Sequence, residues 1–224
     1  MISLHTHTFF SDGELGVSEL VRRAEARGYR AIGVTDHVDD ANLEFIISNV
    51  SRCAEKLNTV LEIKVIGGVE ITHVPPALIP EMIERARSLG AKVVGVHGET
   101  IIEPVISGTN RAAILGGVDF LAHPGLISAE DAALAAEKGI FLEITTRKGH
   151  AYTNGHVLNM ARIAGAKMII NTDSHSPSDL VTRKNAELIA RGAGLTEEEI
   201  ESCFLNSEKI VKRALNKLTI LNQK

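Results

Sequence analysis

The segment GAKMIINTDSH, residues 165–175, contains the unit on which the fold depends: a glycine, a short apolar run and a polar end. A glycine directly after a helix supplies the left-handed residue that ends it. The apolar run that follows is typical of a parallel strand buried on both of its faces. The polar residues from Thr172 to His175 then lie at the carboxyl end of that strand. The segment therefore predicts a helix-to-strand junction followed by side chains that are able to do chemistry.

The same unit recurs along the chain and sets the order of the predicted elements. Its glycine and strand are found again in GYRAIGVTDH (28–37), GAKVVGVHG (90–98), GVDFLAHPG (117–125) and GIFLEITT (139–146). The segments LH (4–5) and IKVIGGVEIT (63–72) supply two more strands, which gives seven predicted strands that alternate with helices. Thr196 and Asn206 are predicted to cap two closing helices near the carboxyl terminus. The other predicted helices are approximately residues 17–27, 41–59, 76–89, 108–116, 129–138, 155–164 and 178–192.

This alternation of strands and helices implies a parallel α/β fold, which is either an open sheet or a closed barrel. An open doubly wound sheet predicts a glycine-rich phosphate loop after the first strand, and the sequence there is HTHTFF (5–10). Polar residues end nearly every strand, which suits a barrel whose active site lies at its C-terminal face. We therefore predict a seven-stranded TIM-like α/β barrel that ends in C-terminal closing helices. Residues 1–224 are predicted to form a single domain.

Composition and charge restrict the classes of protein to consider. A chain of 224 residues that is 44% hydrophobic can bury one sizeable core. Its formal net charge of −4 argues against a general nucleic-acid binder, which normally carries a basic face. The start MISLHTHTFF has no basic region or long apolar run, so we predict no secretory signal and no membrane span. Cys53 and Cys203 match no CxxC pattern, which indicates reduced thiols in a cytoplasmic protein.

Histidines and carboxylates occupy the ends of six of the seven predicted strands. In His5-Thr6-His7, alternate residues of a strand point the same way, so both imidazoles can face one metal ion. Each position alone could be a hydrogen-bonded structural residue, a helix cap or ordinary turn chemistry. Together they would be costly to bury at one barrel mouth without a metal ion to organise them. The nine candidate ligands are His5, His7, Asp12, His37, Glu70, His97, His123, Asp173 and His175.

The size and chemistry of this set predict the metals. One zinc ion usually takes about four ligands, so nine candidates imply two or three divalent ions. A mixture of imidazoles and carboxylates suits zinc, manganese or iron, and the lack of thiolates argues against a purely structural zinc site. Magnesium alone is disfavoured by so many imidazoles.

The motifs HTHTFFSDG, VTDH, GVE, VHG, AHPG and TDSH, in this order, resemble the metal motifs of the PHP (polymerase and histidinol phosphatase) family across nearly the whole chain. The resemblance implies a distorted (β/α)7 barrel and a centre of three metal ions. It implies that His5, His7, Glu70 and Asp173 hold the first ion, and that Glu70 bridges to a second ion. His97 and His123 would complete the second site, and Asp12, His37 and His175 would hold the third ion.

The stretch LEITTRKGH (142–150) resembles the small histidinol-phosphatase-like branch of that family, although the segment between Glu143 and Arg147 is shorter here. Arg147 and Lys148 are predicted to lie near the rim, where a guanidinium can bind two phosphate oxygens. A solvated loop is the alternative interpretation of this pair. His150 is a candidate proton donor to a leaving group, and Arg183 is a further candidate phosphate ligand. For His73, His150 and His156, the alternative is a loop position without a catalytic role.

These features predict a metal-dependent hydrolase that cleaves a phosphate monoester with a metal-bound hydroxide as nucleophile. Glu70 and His97 are only 27 positions apart, so the mouth is small and suits a compact phosphorylated metabolite such as histidinol phosphate. Three alternatives stay open. They are an amidohydrolase-type enzyme that cleaves C–N bonds, a phosphodiesterase or nucleotide phosphoesterase of the same family, and a non-catalytic module of a larger assembly.

Overall fold

The computed structural model describes residues 1–221, with side chains through residue 216, and forms a parallel barrel. β2 (Ala31–Val34) and β3 (His37–Val38) pair with β4 (Lys64–Ile71) in one continuous register, with Ala31 opposite Lys64 and His37 opposite Glu70. β2 and β3 therefore act as a single strand. The strands are therefore arranged as seven neighbours in the order β1-β2-β4-β5-β6-β7-β8, which confirms the predicted number. Their bounds are β1 Ile2–Ser3, β2 Ala31–Val34, β3 His37–Val38, β4 Lys64–Ile71, β5 Val93–His97, β6 Phe120–Ala122, β7 Phe141–Thr145 and β8 Met168–Asn171.

The barrel is nearly closed by contacts between the segments after β1 and β8. Thr6 and Ser174 form a parallel bridge, and the amide of His7 donates to the carbonyl of Ser174 at 2.9 Å. The amide of Leu4 donates to the Asn171 side chain at 2.8 Å. These bonds join the first and last strands, and the prediction of a TIM-like α/β barrel is confirmed.

The helices alternate with the strands as predicted, but two predicted boundaries are wrong. One continuous helix is found where two closing helices were predicted. Asn206 does not cap a second helix, and its side-chain amide donates instead to the carbonyl of Met168 at 2.9 Å. Thr196 does cap this helix, accepting from the amide of Glu199 at 3.3 Å. The helices are α1 Val17–Ala26, α2 Leu43–Asn58, α3 Ile79–Ser88, α4 Thr109–Leu115, α5 Ala129–Lys138, α6 Asn154–Ala164, α7 Arg183–Ala193 and α8 Glu197–Leu221.

The second wrong boundary is the start of α7, predicted at residue 178. The Asp179 carboxylate accepts hydrogen bonds from the amides of His175 and Ser176 and from the Arg147 guanidinium. These bonds hold the segment after β8 in an irregular path, so α7 begins only after Thr182, which caps it. Segment 76–89 also differs, since its first turn, Pro76–Leu78, is a 3-10 helix.

Two apolar layers cover the outer and inner faces of the sheet and leave one end of the barrel free for polar groups. The larger layer lies between the strands and the surrounding helices. The smaller fills the barrel interior, where Phe120 and Phe141 meet Ile210, Val211 and Ala214 of α8. α8 thus closes the amino-terminal end of the barrel, and the carboxyl ends of the strands form the opposite end. Within residues 1–221, no helix is both long enough and apolar enough to cross a membrane.

Candidate metal centre

The predicted strand-end residues meet at the carboxyl end of the barrel. Glu70 lies within β4, His97 ends β5, His123 directly follows β6, and Asp173 lies two residues beyond the end of β8. His123 and Asp173 have positive φ angles of 25° and 49°, a backbone conformation that L-residues rarely adopt. Strain of this kind concentrates at functional sites. The structure brings all nine candidate ligands to this mouth.

Glu70 is fully buried at the middle of the mouth, and its two oxygens face different imidazoles. Oε1 lies 3.2 Å from Nε2 of His5, 3.5 Å from Nδ1 of His97 and 3.5 Å from Nε2 of His123. Oε2 lies 2.7 Å from Nδ1 of His37. One carboxylate therefore connects imidazoles from four strand ends.

Asp173 and Asp12 form the other two acidic points of the centre. Oδ1 of Asp173 lies 3.2 Å from Nε2 of His7 and 3.5 Å from Nε2 of His5. Oδ1 of Asp12 lies 3.2 Å from Nε2 of His175 and 3.5 Å from Nε2 of His37. The Asp12 side chain is 57% exposed, whereas Asp173 is buried, so the Asp12 group forms the open edge of the centre.

Asp36 holds the loop that carries Asp12, although sequence reasoning gave it no role. Its carboxylate accepts from the amide and hydroxyl of Thr8, at 2.7 and 2.8 Å, and from the hydroxyl of Ser11 at 2.7 Å. Because Ser11 precedes Asp12, these bonds fix the loop next to His37.

Many buried atoms of this cluster have no hydrogen-bond partner, although several of them lie within 4 Å of another such atom. They include Nε2 of His5, both nitrogens of His7 and of His97, both oxygens of Glu70, and Oδ1 of Asp173. Buried polar groups are nearly always hydrogen-bonded, so a group of unpaired atoms requires an explanation. Several sets of donor atoms at the mouth, including those of His7, Asp12, His37 and His175, lie within 4.8 Å of one another and could each hold a metal ion.

For four of the buried groups the pKa shifts favour the forms that bind metal, whereas in His5, His37 and His97 burial is outweighed by neighbouring carboxylates, which raise the pKa. Burial and repulsion by His37 lower the pKa of His7 from 6.5 to about 3, and burial and His97 hold the pKa of His123 well below its usual range. Burial tends to raise the pKa of Glu70 and of Asp173, but neighbouring imidazoles, His5 foremost, outweigh it and hold both pKa values well below the usual range. Neutral imidazoles and ionised carboxylates are the forms that bind metal.

Glu143 is a second fully buried carboxylate, and sequence reasoning did not give it a role. Its Oε1 lies 2.8 Å from Nδ1 of His5 and accepts from the Asn171 amide at 2.8 Å, while Oε2 accepts from the amide of His123 at 2.9 Å. A metal-binding histidine commonly donates its other ring N–H to such a carboxylate. A charged residue inside the apolar strand FLEIT is the sequence signal that could have identified it.

Glu103 is a third carboxylate to which sequence reasoning gave no role, and it lies on the outer side of His97. Its Oε2 is 3.1 Å from Nε2 of His97 and 3.4 Å from Nε2 of His73, and its Oε1 is 3.4 Å from Nε2 of His150. Burial lowers the pKa of His97, but contacts with Glu103 and Glu70 outweigh it and raise the pKa to about 10. No motif in the segment GETIIEPVISG (98–108) indicates this position.

A cavity of about 360 Å³ opens above the cluster, and the predicted substrate-binding residues relate to it differently. Arg147 and His150 line it, and Arg147 donates to Asp179 at 2.9 Å. His150 stacks on His123 with ring centroids 4.0 Å apart. Lys148 is exposed and lines a neighbouring pocket with Arg147, Asp12 and His175.

Two other sequence candidates lie outside this cavity. Arg183 ion-pairs with Glu187 and Glu201 and lies over the Phe204 ring, so its guanidinium is already occupied at the α7–α8 junction. This packing removes Arg183 from the phosphate-binding candidates. His156 donates from Nε2 to the carbonyl of Ile127 at 2.8 Å, in agreement with a position that has no catalytic role.

Comparisons with known proteins identify the relatives of this chain. The family model described as PHP domain matches residues 3–100. An uncharacterised protein of Methanocaldococcus jannaschii is 50% identical over 212 residues, which cover 93% of this chain and 97% of that protein. A Shewanella pealeana protein named "probable phosphatase" is 25% identical over 224 residues, which cover 89% of this chain and 87% of that protein.

Solved structures show the same fold at low sequence identity. A structure assigned as a histidinol phosphatase of Listeria monocytogenes has a TM-score of 0.58 and 13% identity, and covers 80% of this chain and 97% of that one. A Xaa-Pro dipeptidase has a TM-score of 0.61 and 12% identity, and covers 96% of this chain and 75% of that one. At these identities the similarity concerns the barrel alone, because one barrel fold hosts many chemistries.

Proposed function

The chain belongs to the PHP domain family, and from this premise we propose that it is a metal-dependent phosphatase that hydrolyses a small phosphate monoester. The observation that carries the proposal is the environment of Glu70. Its carboxylate is fully buried and lies 2.7 to 3.7 Å from the nitrogens of five imidazoles, and neither oxygen has a hydrogen-bond partner. Such a group is stable in a folded protein when a cation lies between it and its neighbours.

We assign the nine residues to three divalent ions, of zinc, manganese or iron. The contacts of Glu70 support a bridging role between the first two ions, since Oε1 faces His97 and His123 while Oε2 lies 3.7 Å from Nε2 of His7. The contacts of Asp12 with His37 and His175 support a separate ion at the open edge. In this assignment the first ion takes His5, His7, Glu70 and Asp173, the second takes Glu70, His97 and His123, and the third takes Asp12, His37 and His175.

Metal ions held in this way lower the pKa of bound water and neutralise charge on phosphate oxygens. The protein's own residues supply the rest. Glu143 orients His5 through Nδ1, and Asp36 orients the Asp12 loop. Arg147 is held beside the cavity by Asp179, where its guanidinium can bind phosphate oxygens, and Lys148 adds a second positive charge at the rim.

The size of the mouth supports a small substrate. A cavity of about 360 Å³ lies at the lower end of the range for small-molecule sites. A relative of similar length carries the name "probable phosphatase", and a structure assigned as a histidinol phosphatase has the same fold. Histidinol phosphate is therefore the first substrate to test, within a panel of phosphorylated metabolites.

The decisive experiment compares Glu70→Ala and His97→Ala with Glu130→Ala, a control at an exposed position of α5. We expect both mouth variants to lose at least about 1,000-fold in hydrolysis of p-nitrophenyl phosphate, because each removes a metal ligand, whereas the control retains full activity. Undiminished activity in either mouth variant would contradict the proposal. Cleavage of cyclic amides without cleavage of phosphate esters would instead favour the amidohydrolase alternative.

Arg147 has a smaller expected effect that concerns the substrate. Arg147→Ala should lower kcat/KM for phosphate esters roughly 10- to 100-fold, since a charge-assisted hydrogen bond contributes about 1.5–3 kcal/mol. Arg147→Lys keeps the charge but loses the bidentate geometry, so its kcat/KM should lie between those of the wild type and of Arg147→Ala. Equal kcat/KM values in all three proteins would assign phosphate binding to the metals alone.

A further inference from the structure

The nine-residue assignment leaves unused a carboxylate that three imidazoles surround. Glu103 projects from the loop after β5 to the outer side of His97, and its side chain is 35% exposed. Its nearest neighbours are Nε2 of His97 at 3.1 Å, Nε2 of His73 at 3.4 Å and Nε2 of His150 at 3.4 Å. The donor atoms of His73, His97 and Glu103 all lie within 4.8 Å of one another.

The spacing of these atoms resembles the spacing between ligands of one metal ion. With bonds of about 2.0–2.2 Å, two donors on a tetrahedral zinc ion lie roughly 3.3–3.5 Å apart. Nε2 of His97 is buried and has no hydrogen-bond partner, although Glu103 is only 3.1 Å away. The same combination of short distance and missing hydrogen bond marks the donors around Glu70.

The loop that carries Glu103 is held firmly at both ends. The Glu99 carboxylate accepts from the amides of Gly108 and Asn110, at 3.0 and 2.9 Å. The Asn110 side chain accepts from the amide of Glu99 at 3.0 Å and donates to the carbonyl of Pro124 at 2.9 Å. These bonds restrict the positions open to Glu103, so its place beside His97 is built into the loop.

The backbone at His73 is a second, independent observation. His73 has a φ of 54°, and it is the third non-glycine residue with positive φ among residues 1–221, besides His123 and Asp173. The other two belong to the proposed metal centre. Backbone strain of this kind persists where the surrounding structure imposes it and concentrates at functional sites. It directs the His73 ring to within 5.2 Å of the His97 ring.

We propose that His73, Glu103 and Nε2 of His97 form a further zinc-binding site at the rim of the barrel, and that zinc bound there inhibits the enzyme. This inference rests on the proposed function, because the rim site shares His97 with the metal centre. A neutral imidazole has one lone pair, so an ion on Nε2 removes Nδ1 of His97 from the ion that Glu70 bridges. Two imidazoles and one glutamate are a common ligand set of zinc sites that keep an open position.

The test measures zinc bound at equilibrium, by dialysis against rising free zinc and metal analysis of the full-length protein. The wild type is expected to bind one more zinc ion in excess metal than His73→Asn or Glu103→Gln. Both positions are partly exposed, so each variant is expected to fold, which circular dichroism verifies. His156→Asn and Glu130→Gln are the matched controls, and both should keep the additional ion.

Activity provides the second measurement. Hydrolysis by the wild type should rise and then fall as free zinc increases, whereas in both rim variants it should rise to a plateau. Equal zinc binding by wild type and variants, or retention of the additional ion by either variant, would overturn the rim site. A wild-type protein that binds no zinc, manganese or iron would instead overturn the proposed function, so the two failures are distinguishable.

Discussion

The two ends of the barrel bury carboxylates in opposite ways. Asp119, at the amino-terminal end, is 5% exposed, and its carboxylate accepts from the amide of Val94 at 2.8 Å and pairs with Arg87 and Arg213. Glu70, at the carboxyl end, is fully buried among imidazoles and has no hydrogen-bond partner. At the amino-terminal end, the protein thus neutralises its buried carboxylate with its own arginines. At the other end it leaves the charge for a ligand to satisfy.

The apolar packing also differs between the two ends of the barrel, since in the described part of the chain only the amino-terminal end is closed by apolar side chains. α8 closes the amino-terminal end with Ile210, Val211 and Ala214, which continue the interior of the barrel. Among the described side chains, residues 1–216, no comparable apolar layer covers the donors at the carboxyl end, where a cavity of about 360 Å³ opens. We therefore expect changes at one end to alter stability alone, and changes at the other to alter metal binding.

Removal of metal should have the largest effect on stability. Each ion present at about 1,000 times its Kd stabilises the folded protein by about 4 kcal/mol, and a chelator removes the contributions of all the bound ions. Urea unfolding with and without chelator measures the difference, and added zinc or manganese should restore it. An unfolding curve that chelation leaves unchanged would mean that the mouth is stable without a cation, contrary to the comparison.

At the closed end, Ile210→Ala should cost about 2–5 kcal/mol, because it removes a buried side chain and leaves a cavity. Urea unfolding measures the loss, and metal analysis should show an unchanged metal content. Leu205→Ala, on the exposed face of the same helix, is the control and should change stability little. Loss of metal in the Ile210 variant would show that the two ends are coupled.

At the mouth, Glu143→Gln should weaken metal binding roughly 10- to 100-fold. The amide preserves the shape of the side chain but lacks the negative charge that orients His5 through Nδ1. Titration with a competing chelator measures the affinity, and Glu137→Gln on the exposed face of α5 is the control. Unaltered affinity would assign Glu143 a purely structural role through Asn171 and the amide of His123.

The barrel and its mouth could be predicted from sequence because their signals are local. Gly139 and Gly165 end helices in the left-handed conformation, as the repeated unit predicts, and each precedes a strand. The carboxyl ends of parallel strands meet in one place, so residues such as His97 and Asp173 could be brought together without coordinates. Single-domain organisation and the assignment of ligands to ions stay predictions.

What could not be predicted depends on contacts between distant residues. Glu103 lies six residues beyond β5, and its position follows from the bonds between Glu99 and Asn110. The late start of α7 follows from bonds made by Asp179, one of them with Arg147, 32 residues earlier. Neither arrangement leaves a periodic pattern or a motif in the sequence.

The environment of Asp119 also depends on distant residues, because its partners Arg87 and Arg213 come from α3 and α8. Its substitution has the smallest expected effect of the changes proposed. Asp119→Asn keeps the size of the side chain and an acceptor for the Val94 amide, but it removes the charge that both arginines face. Since the arginines are partly exposed, the expected loss in the free energy of unfolding is only about 1 kcal/mol. Salt should reduce this loss, because it screens the exposed side of the pair. Metal content and activity should stay at wild-type levels, and a change in either would mean that this charge also stabilises the arrangement at the mouth.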